Sequence, residues 1–400
     1  MTRKVLYLPD EYTAALCERF EFDLRPQNLA TRAGKAFISE VAQMISQINE
    51  GLTTGREEFL ASGYLQQKKI RDAYSLYYMT TNLLKVIPPL NEISFSPSEN
   101  IASEYRILDL GTGTGAASWG SLSYLNNSLH DQIIDVVLSD SLTENLREAE
   151  HFGKYFIKKL QARSQLYFEQ FDLRDPKNIP ALIRTKAPYK LIMMMNVLNE
   201  LPEKNDTVLL EILLTLLDTH GSVLIIEPAT RVESRRLLGF RDLAVNLGAT
   251  IYSPCTRQES CPALSEEGDW CHNNIPWERP HFIMSIDEIV GTLRLSLKSS
   301  YVVLRKDSQT LGANLGEKNL QRVVSERFDE KGRIRSILCG KDGRYEHVIN
   351  KRDITAQTSD FKEIERYDLI RIDGDERREH DVRITRESSI QIVLPNLGAR

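Results

Sequence analysis

No apolar run in this chain approaches the roughly 20 residues that cross a bilayer, so a membrane partner is not expected. The opening stretch Met1–Phe20 carries Asp10, Glu11 and Glu18 and has no uninterrupted apolar core, which argues against a secretory signal. Its acids and its lack of serine argue equally against a mitochondrial transit peptide. A cytoplasmic, bacterial protein is the expectation. Positive charge is not in excess either: the formal net charge is -5 over 400 residues. Bulk charge therefore gives no support to a surface that grips nucleic acid everywhere, although a local patch could suffice. Internal repeats and low-complexity tracts are absent. Cysteine is scarce, with five in the chain, and a disulfide framework is not expected in a reducing cytosol. Hydrophobic residues at 41% and charged residues at 27% fit a soluble globular chain that is too long for one small domain.

What is present changes character along the chain. Residues 11–95 carry apolar positions at spacings of three and four, as in Phe37, Val41, Met44 and Ile45, and again through Tyr74, Tyr77, Tyr78, Leu83 and Leu84. This predicts a helical N-terminal region over 1–95, ended by Pro88 and Pro89. The polar stretch 95–103, with Pro97, reads as a linker. From 104 to 310 short β-rich runs alternate with helical ones: Tyr105–Leu110, Ile134–Leu138, Gln165–Phe168, Leu191–Met195, Ser222–Ile226 and Tyr301–Arg305. Helical patterns lie between them at Thr143–Leu160, Thr207–Leu217 and 231–247. Such alternation predicts an α/β fold with a parallel sheet covered on both faces. Residues 252–281 read as neither element. From 318 to 400 the chain is charged and short-stranded, which predicts a small β-rich appendage.

The segment Ile107-Leu108-Asp109-Leu110-Gly111-Thr112-Gly113-Thr114-Gly115 ends one predicted strand and opens a helix. Glycine is needed where backbone turns tightly and a ligand approaches it, and the helix beyond offers free N–H groups. A dinucleotide loop would read G-x-G-x-x-G/A, which Gly111, Gly113 and Ala116 satisfy loosely. Here, however, the acid precedes the first glycine. D-x-G-x-G-x-G resembles the first motif of class I methyltransferases, whose Rossmann-like fold binds S-adenosylmethionine. That resemblance implies that Asp109, Gly111, Gly113 and Gly115 wrap the methionine part of the cofactor. It implies that Asp140, after the second strand, takes the ribose hydroxyls, and that Asp172, after the third, meets the adenine amino group. Asp140 and Asp172 could otherwise cap a helix or a turn. The fourth strand ends in Asn196-Val197-Leu198-Asn199-Glu200, which puts Asn196 and Asn199 near the transferred methyl or at a helix cap. No N-P-P-Y motif and no evident base or clamp stands there, so no catalytic residue is assigned.

Cys17 lies alone in a helical pattern and reads as a buried hydrophobe. Cys255, Cys261 and Cys271 are separated by five and nine residues, and Cys339 by 67 more. Thiolates favour zinc or an iron–sulfur cluster, and four would complete either site. With no C-x-x-C, spacing leaves open zinc, a cluster, unrelated buried thiols, or a nitrogen ligand from His272 or His281. Prolines flank the segment at Pro254-Cys255 and Cys261-Pro262, followed by Asp269-Trp270-Cys271-His272.

Taken with Ala73-Tyr74-Ser75-Leu76-Tyr77-Tyr78, Val197-Leu198-Asn199-Glu200-Leu201 and Ile226-Glu227-Pro228, these segments resemble one family. It comprises the methyltransferase-like assembly factors of the small ribosomal subunit, found in mitochondria and bacteria. The resemblance spans roughly residues 65 to 350. It implies S-adenosylmethionine binding, a 4Fe-4S cluster held by Cys255, Cys261, Cys271 and Cys339 (a cysteine-rich metal-binding insertion), and engagement of the small subunit or its rRNA. It does not establish methyl transfer. Three readings follow: an assembly factor, monomeric when free; an active rRNA or protein methyltransferase with a structural zinc; or a non-enzymatic iron–sulfur module that binds RNA. Candidate rRNA contacts are Arg231, Arg235, Arg236 and Arg241 on one helix, and Lys331, Arg333 and Arg335 before Cys339. The acidic Glu266, Glu267 and Asp269 would sit badly against phosphates.

Overall fold

The computed structural model describes residues 4–93, 104–129 and 132–397. The expected linker at 95–103 lies outside them. Among the described residues no helix is long and apolar enough to cross a membrane.

Strands β1 (Tyr105–Leu110), β2 (Ile134–Asp140), β3 (Ser164–Gln170), β4 (Tyr189–Met195) and β5 (Leu217–Pro228) are mutually parallel where they pair. β2 is buried at every position, as expected of a strand covered on both faces. β6 (Thr250–Ser253), β7 (Asn273–Pro276) and β8 (Ser296–Arg305) complete the sheet in the order β3-β2-β1-β4-β5-β8-β6, with β7 also on β8. β8 runs antiparallel to β5, β6 and β7. One face of the sheet packs against the N-terminal helices and Thr143–Leu160, whose buried Leu146, Ala149, Phe152 and Phe156 recur at helical spacing. The other face packs on Asp206–Leu216 and Arg231–Asn246.

A second sheet follows. β9 (Leu320–Val323), β10 (Phe328–Asp329), β11 (Arg333–Gly340), β12 (Gly343–Asn350), β13 (Leu369–Asp373), β14 (Glu376–Arg377), β15 (Val382–Ile384) and β16 (Ser389–Leu394) form it. It has its own core, around Val323, Ile334, Leu338, Ile349, Phe361 and Ile370. Buried charge fastens it to the N-terminal helix Ile87–Glu92. Arg322 on β9 pairs with Glu92 at 2.7 Å and donates to the Pro254 carbonyl at 2.9 Å.

Two sequence expectations are corrected. Pro88 and Pro89 do not end the helical region. They occupy the first turn of Ile87–Glu92, where the missing N–H would have no partner in any case. Residues 252–281 are not wholly irregular either. β7 forms within them by pairing with Ser296–Ser299, a tertiary contact that four residues of sequence do not advertise.

Candidate functional site

The C-terminal ends of β1, β2, β4 and β5 open on one cleft of about 2010 Å³. The glycine loop forms its floor, and the three glycines differ in what they face. A Cβ on Gly111 would lie 2.4 Å from Val197 Cγ2, and one on Gly115 2.2 Å from Trp119 Nε1. A Cβ on Gly113 would meet nothing within 4 Å, because that position faces the open cleft. Of the three, only Gly113 leaves open space where a Cβ would stand, and all three hold positive φ.

Asp109 shapes the loop from behind. Its Oδ2 accepts from Thr112 Oγ1 at 2.7 Å and from Ser118 Oγ at 2.6 Å. Burial raises its carboxyl to about 6. Asp140 Oδ2 accepts from the Gly113 N–H at 2.8 Å, and Oδ1 accepts from the Leu142 N–H at 2.8 Å and from Asn145 Nδ2 at 3.1 Å. An ionised carboxylate has about four acceptor positions, so roughly one remains for a ribose hydroxyl while these bonds stand. Asp172 also lines the cleft, but Arg174 grips it through Nε and Nη2 at 2.9 and 2.7 Å and holds its carboxyl below the usual range. Any adenine contact by Asp172 must compete with that grip. Asn196 takes φ +57, a left-handed turn that asparagine tolerates better than most residues, and its N–H donates to the Ile226 carbonyl at 2.8 Å. Its backbone turns the chain out of β4.

Some site residues carried no assignment from sequence. Glu227 at the end of β5 is fully buried, and its Oε1 accepts from the Val197 and Leu198 N–H groups at 3.1 and 2.9 Å. Burial pushes its carboxyl up to about 8. Glu200 lines the cleft with its side chain still exposed, and partial desolvation there, with Asp140 nearby, raises it to about 7. The facing wall carries Tyr64, Tyr74, Tyr78, Lys85 and Arg294. There the helix Lys68–Tyr74 widens into a π-helical turn at Ser75–Met79, a distortion often found at functional sites. Glu200 and Tyr74 lie in stretches that sequence had singled out by resemblance, without roles. Lys85 and Arg294 gave no signal.

The four cysteines of the second half of the chain come together. Cys261 feels the charge of Cys255, Cys271 and Cys339, and Cys339 that of Cys255 and Cys271. Burial raises Cys255, Cys261 and Cys339, the last to about 12. Arg241 and Arg322 oppose the shift at Cys255, and Arg344 and Arg257 oppose it at Cys339. Cys17 is elsewhere, its Sγ accepting from the Leu24 N–H at 3.5 Å. No group of three or more His, Cys, Asp or Glu side chains among the described residues could hold a metal ion. His272 is stacked on Trp270 and burial lowers it to about 4, while His281 is exposed.

The arginines expected to meet rRNA are largely committed elsewhere. Arg235 donates to the carbonyls of Ala263, Glu266 and Asp269 at 2.7–2.9 Å and of Leu264 at 3.1 Å. Arg236 makes a bidentate pair with Asp206, both bonds 2.6 Å. Arg241 is 1% exposed and donates to the Glu259 and Arg257 carbonyls at 2.5 Å. Arg333 and Arg335 pair with Glu330, and Arg335 also with Glu346. Arg235 and Arg241 therefore clamp the cysteine segment, Arg236 is held by Asp206, and Arg231 is exposed.

The strand order, the antiparallel β8 inserted between β5 and β6, and the glycine loop at the end of β1 define a class I S-adenosylmethionine-dependent methyltransferase-like fold. Residues 69–367 match the family described as mitochondrial small ribosomal subunit Rsm22, and the chain belongs to that family. No curated protein matches it. Among solved structures it is similar to TehB from Haemophilus influenzae, at 15% identity over 59% of this chain and 66% of that one, with a TM-score of 0.35. A putative class I S-adenosylmethionine-dependent methyltransferase from Listeria monocytogenes gives 11% over 73% and 78%, with a TM-score of 0.35. Magnesium protoporphyrin IX methyltransferase from Synechocystis PCC 6803, with bound S-adenosylmethionine, gives 12% over 58% and 82%, with a TM-score of 0.33.

Proposed function

We propose that this protein binds S-adenosylmethionine in the cleft, holds a 4Fe-4S cluster through Cys255, Cys261, Cys271 and Cys339, and acts on the small ribosomal subunit or its rRNA during assembly. The observation that carries the cofactor is Gly113, whose missing side chain leaves open space in a cleft that also presents Asp140. The cluster rests on the donor set. Four thiols share one region, and the nearby arginines oppose the burial that raises Cys255 and Cys339. The ribosomal role rests on family membership. With Arg235 and Arg241 committed to the cysteine segment and Arg236 to Asp206, phosphate contact falls to exposed groups lining the cleft, Arg231 and Lys298.

An active transferase is a second reading, and Glu200 favours it. When bound, S-adenosylmethionine supplies an electrophilic methyl group. A carboxyl raised to about 7 is poised to take a proton from an acceptor N–H or O–H near neutral pH. Titration calorimetry with S-adenosylhomocysteine on the wild type and Gly113→Val tests the cofactor. Heat in the first and none in the second is expected, and equal binding, or none in the wild type, overturns it. Crosslinking to cellular RNA tests the partner, with small-subunit rRNA expected to dominate.

A further inference from the structure

The wall facing the glycine loop holds a buried lysine without a counter-ion. Lys85 is 9% exposed, stands on the short turn Leu84–Val86 and lines the cleft. Loss of water and the neighbouring Arg294 guanidinium lower its ammonium to about 7, so near neutral pH the charged form is held only in part until an anion joins it. No carboxylate pairs with it among the described residues. Buried ammonium groups are ordinarily paired, because an unpaired one costs several kcal/mol, roughly. Arg294 is itself engaged: its Nε donates to the Tyr77 hydroxyl at 2.8 Å, and its guanidinium lies over the Tyr77 and Tyr78 rings. The unmet need for an anion is therefore at Lys85.

The position of the turn indicates what the anion is. A Cβ on Gly120 would come within 2.3 Å of the Leu83 carbonyl oxygen and 2.8 Å of Val86. Leu84–Val86 is thus pressed against the helix Ala116–Ser128 that springs from the glycine loop. Ala116 and Ala117 open that helix and line the same cleft. Their amides have no partner within the helix and add positive potential to that of the lysine. A buried lysine beside a helix N-terminus is a receptor for a small, desolvated anion. In S-adenosylmethionine the carboxylate of the methionyl group is the one anionic centre.

We infer that Lys85 receives the carboxylate of the cofactor's amino-acid portion and so selects for nucleosides that carry it. The inference rests on the cofactor reading above. The test is calorimetry with two probes, S-adenosylhomocysteine and 5′-methylthioadenosine, which keeps the nucleoside and the thioether but lacks the amino-acid carboxylate. In the wild type, S-adenosylhomocysteine should bind more tightly. Lys85→Met fills the same space without charge and should weaken S-adenosylhomocysteine on the order of ten- to a hundred-fold, the worth of one charge-assisted bond. It should leave 5′-methylthioadenosine unchanged, and Lys85→Arg should recover part of the loss. Unchanged S-adenosylhomocysteine affinity in Lys85→Met overturns the inference. So does an equal loss for both probes, which would mark damage to the pocket rather than loss of an ion pair. A wild type that binds neither probe overturns the cofactor reading, and the role of Lys85 falls with it.

Discussion

Alanine at Gly113 and alanine at Gly115 should separate binding from stability. At Gly115 the backbone has φ +97, and the added Cβ would lie 2.2 Å from Trp119 Nε1 and 2.4 Å from its Cε2. The indole cannot easily yield. It is fully buried, donates to the Thr114 carbonyl at 2.9 Å, and packs on Phe152 and Phe156 with ring centroids 5.7 and 6.0 Å away. Left-handed strain of about 1–2 kcal/mol and overpacking of about 1–3 kcal/mol give a loss of roughly 2–5 kcal/mol. At Gly113 the φ is +54 and the Cβ meets no protein atom within 4 Å. Only the strain applies there, about 1–2 kcal/mol. The methyl group instead enters the space assigned to the cofactor. Denaturant unfolding should rank Gly115→Ala well below Gly113→Ala, while calorimetry should show Gly113→Ala with the weakened S-adenosylhomocysteine affinity. If Gly113→Ala proves as unstable as Gly115→Ala, or binds the ligand as the wild type does, the assignment of the open space to a ligand is wrong.

Glu227 offers a pH test. Its folded-state carboxyl is raised from 4.5 to about 8, so its contribution to stability is fully present below 4.5 and is lost as pH rises through 8. Denaturant midpoints of Glu227→Gln should fall less with rising pH across that window than those of the wild type; parallel curves would show that Glu227 does not titrate there. For Cys339→Ser, metal analysis should find iron depleted, yet limited proteolysis should not begin within 254–271. Arg235 and Arg241 already hold that segment through carbonyls from Arg257 to Asp269. Rapid cleavage there would show that the metal, and not the arginines, orders it.

The sequence carried the glycine loop and the parallel strands because both are local: a turn chemistry in one case, a run of buried β-formers in the other. The edges of Thr143–Leu160 were legible for the same reason, an apolar stripe with a clear period. The engagement of Arg235 and Arg241 could not be read from sequence, because charge on a helix says nothing about which carbonyls lie across from it. Those carbonyls come from a loop with no period of its own. The convergence of Cys339 with the other three thiols came from family resemblance and not from spacing, since it depends on the second sheet docking through Arg322 and Glu92. Lys85 was invisible because it follows two leucines in an apolar helical stretch. Only the fold reveals that it is sunk beside a cleft with another cation for company.

The N-terminal helices are completed by residues far downstream. Ile38, Val41 and Ile45 share a core with Phe282, Ile283 and Ile286, and the Leu6 N–H and carbonyl bond to Pro276 and Glu278 at 3.0 and 2.7 Å. At about 5–20 residues per second, synthesis from residue 45 to residue 286 takes on the order of ten seconds to most of a minute. Throughout that interval the part of the Arg32–Thr53 stripe that will meet Phe282, Ile283 and Ile286 lacks its partners. The newborn chain therefore presents an adhesive face before it can hide it. Translation speed and the supply of chaperones would then set how much of it reaches the folded state.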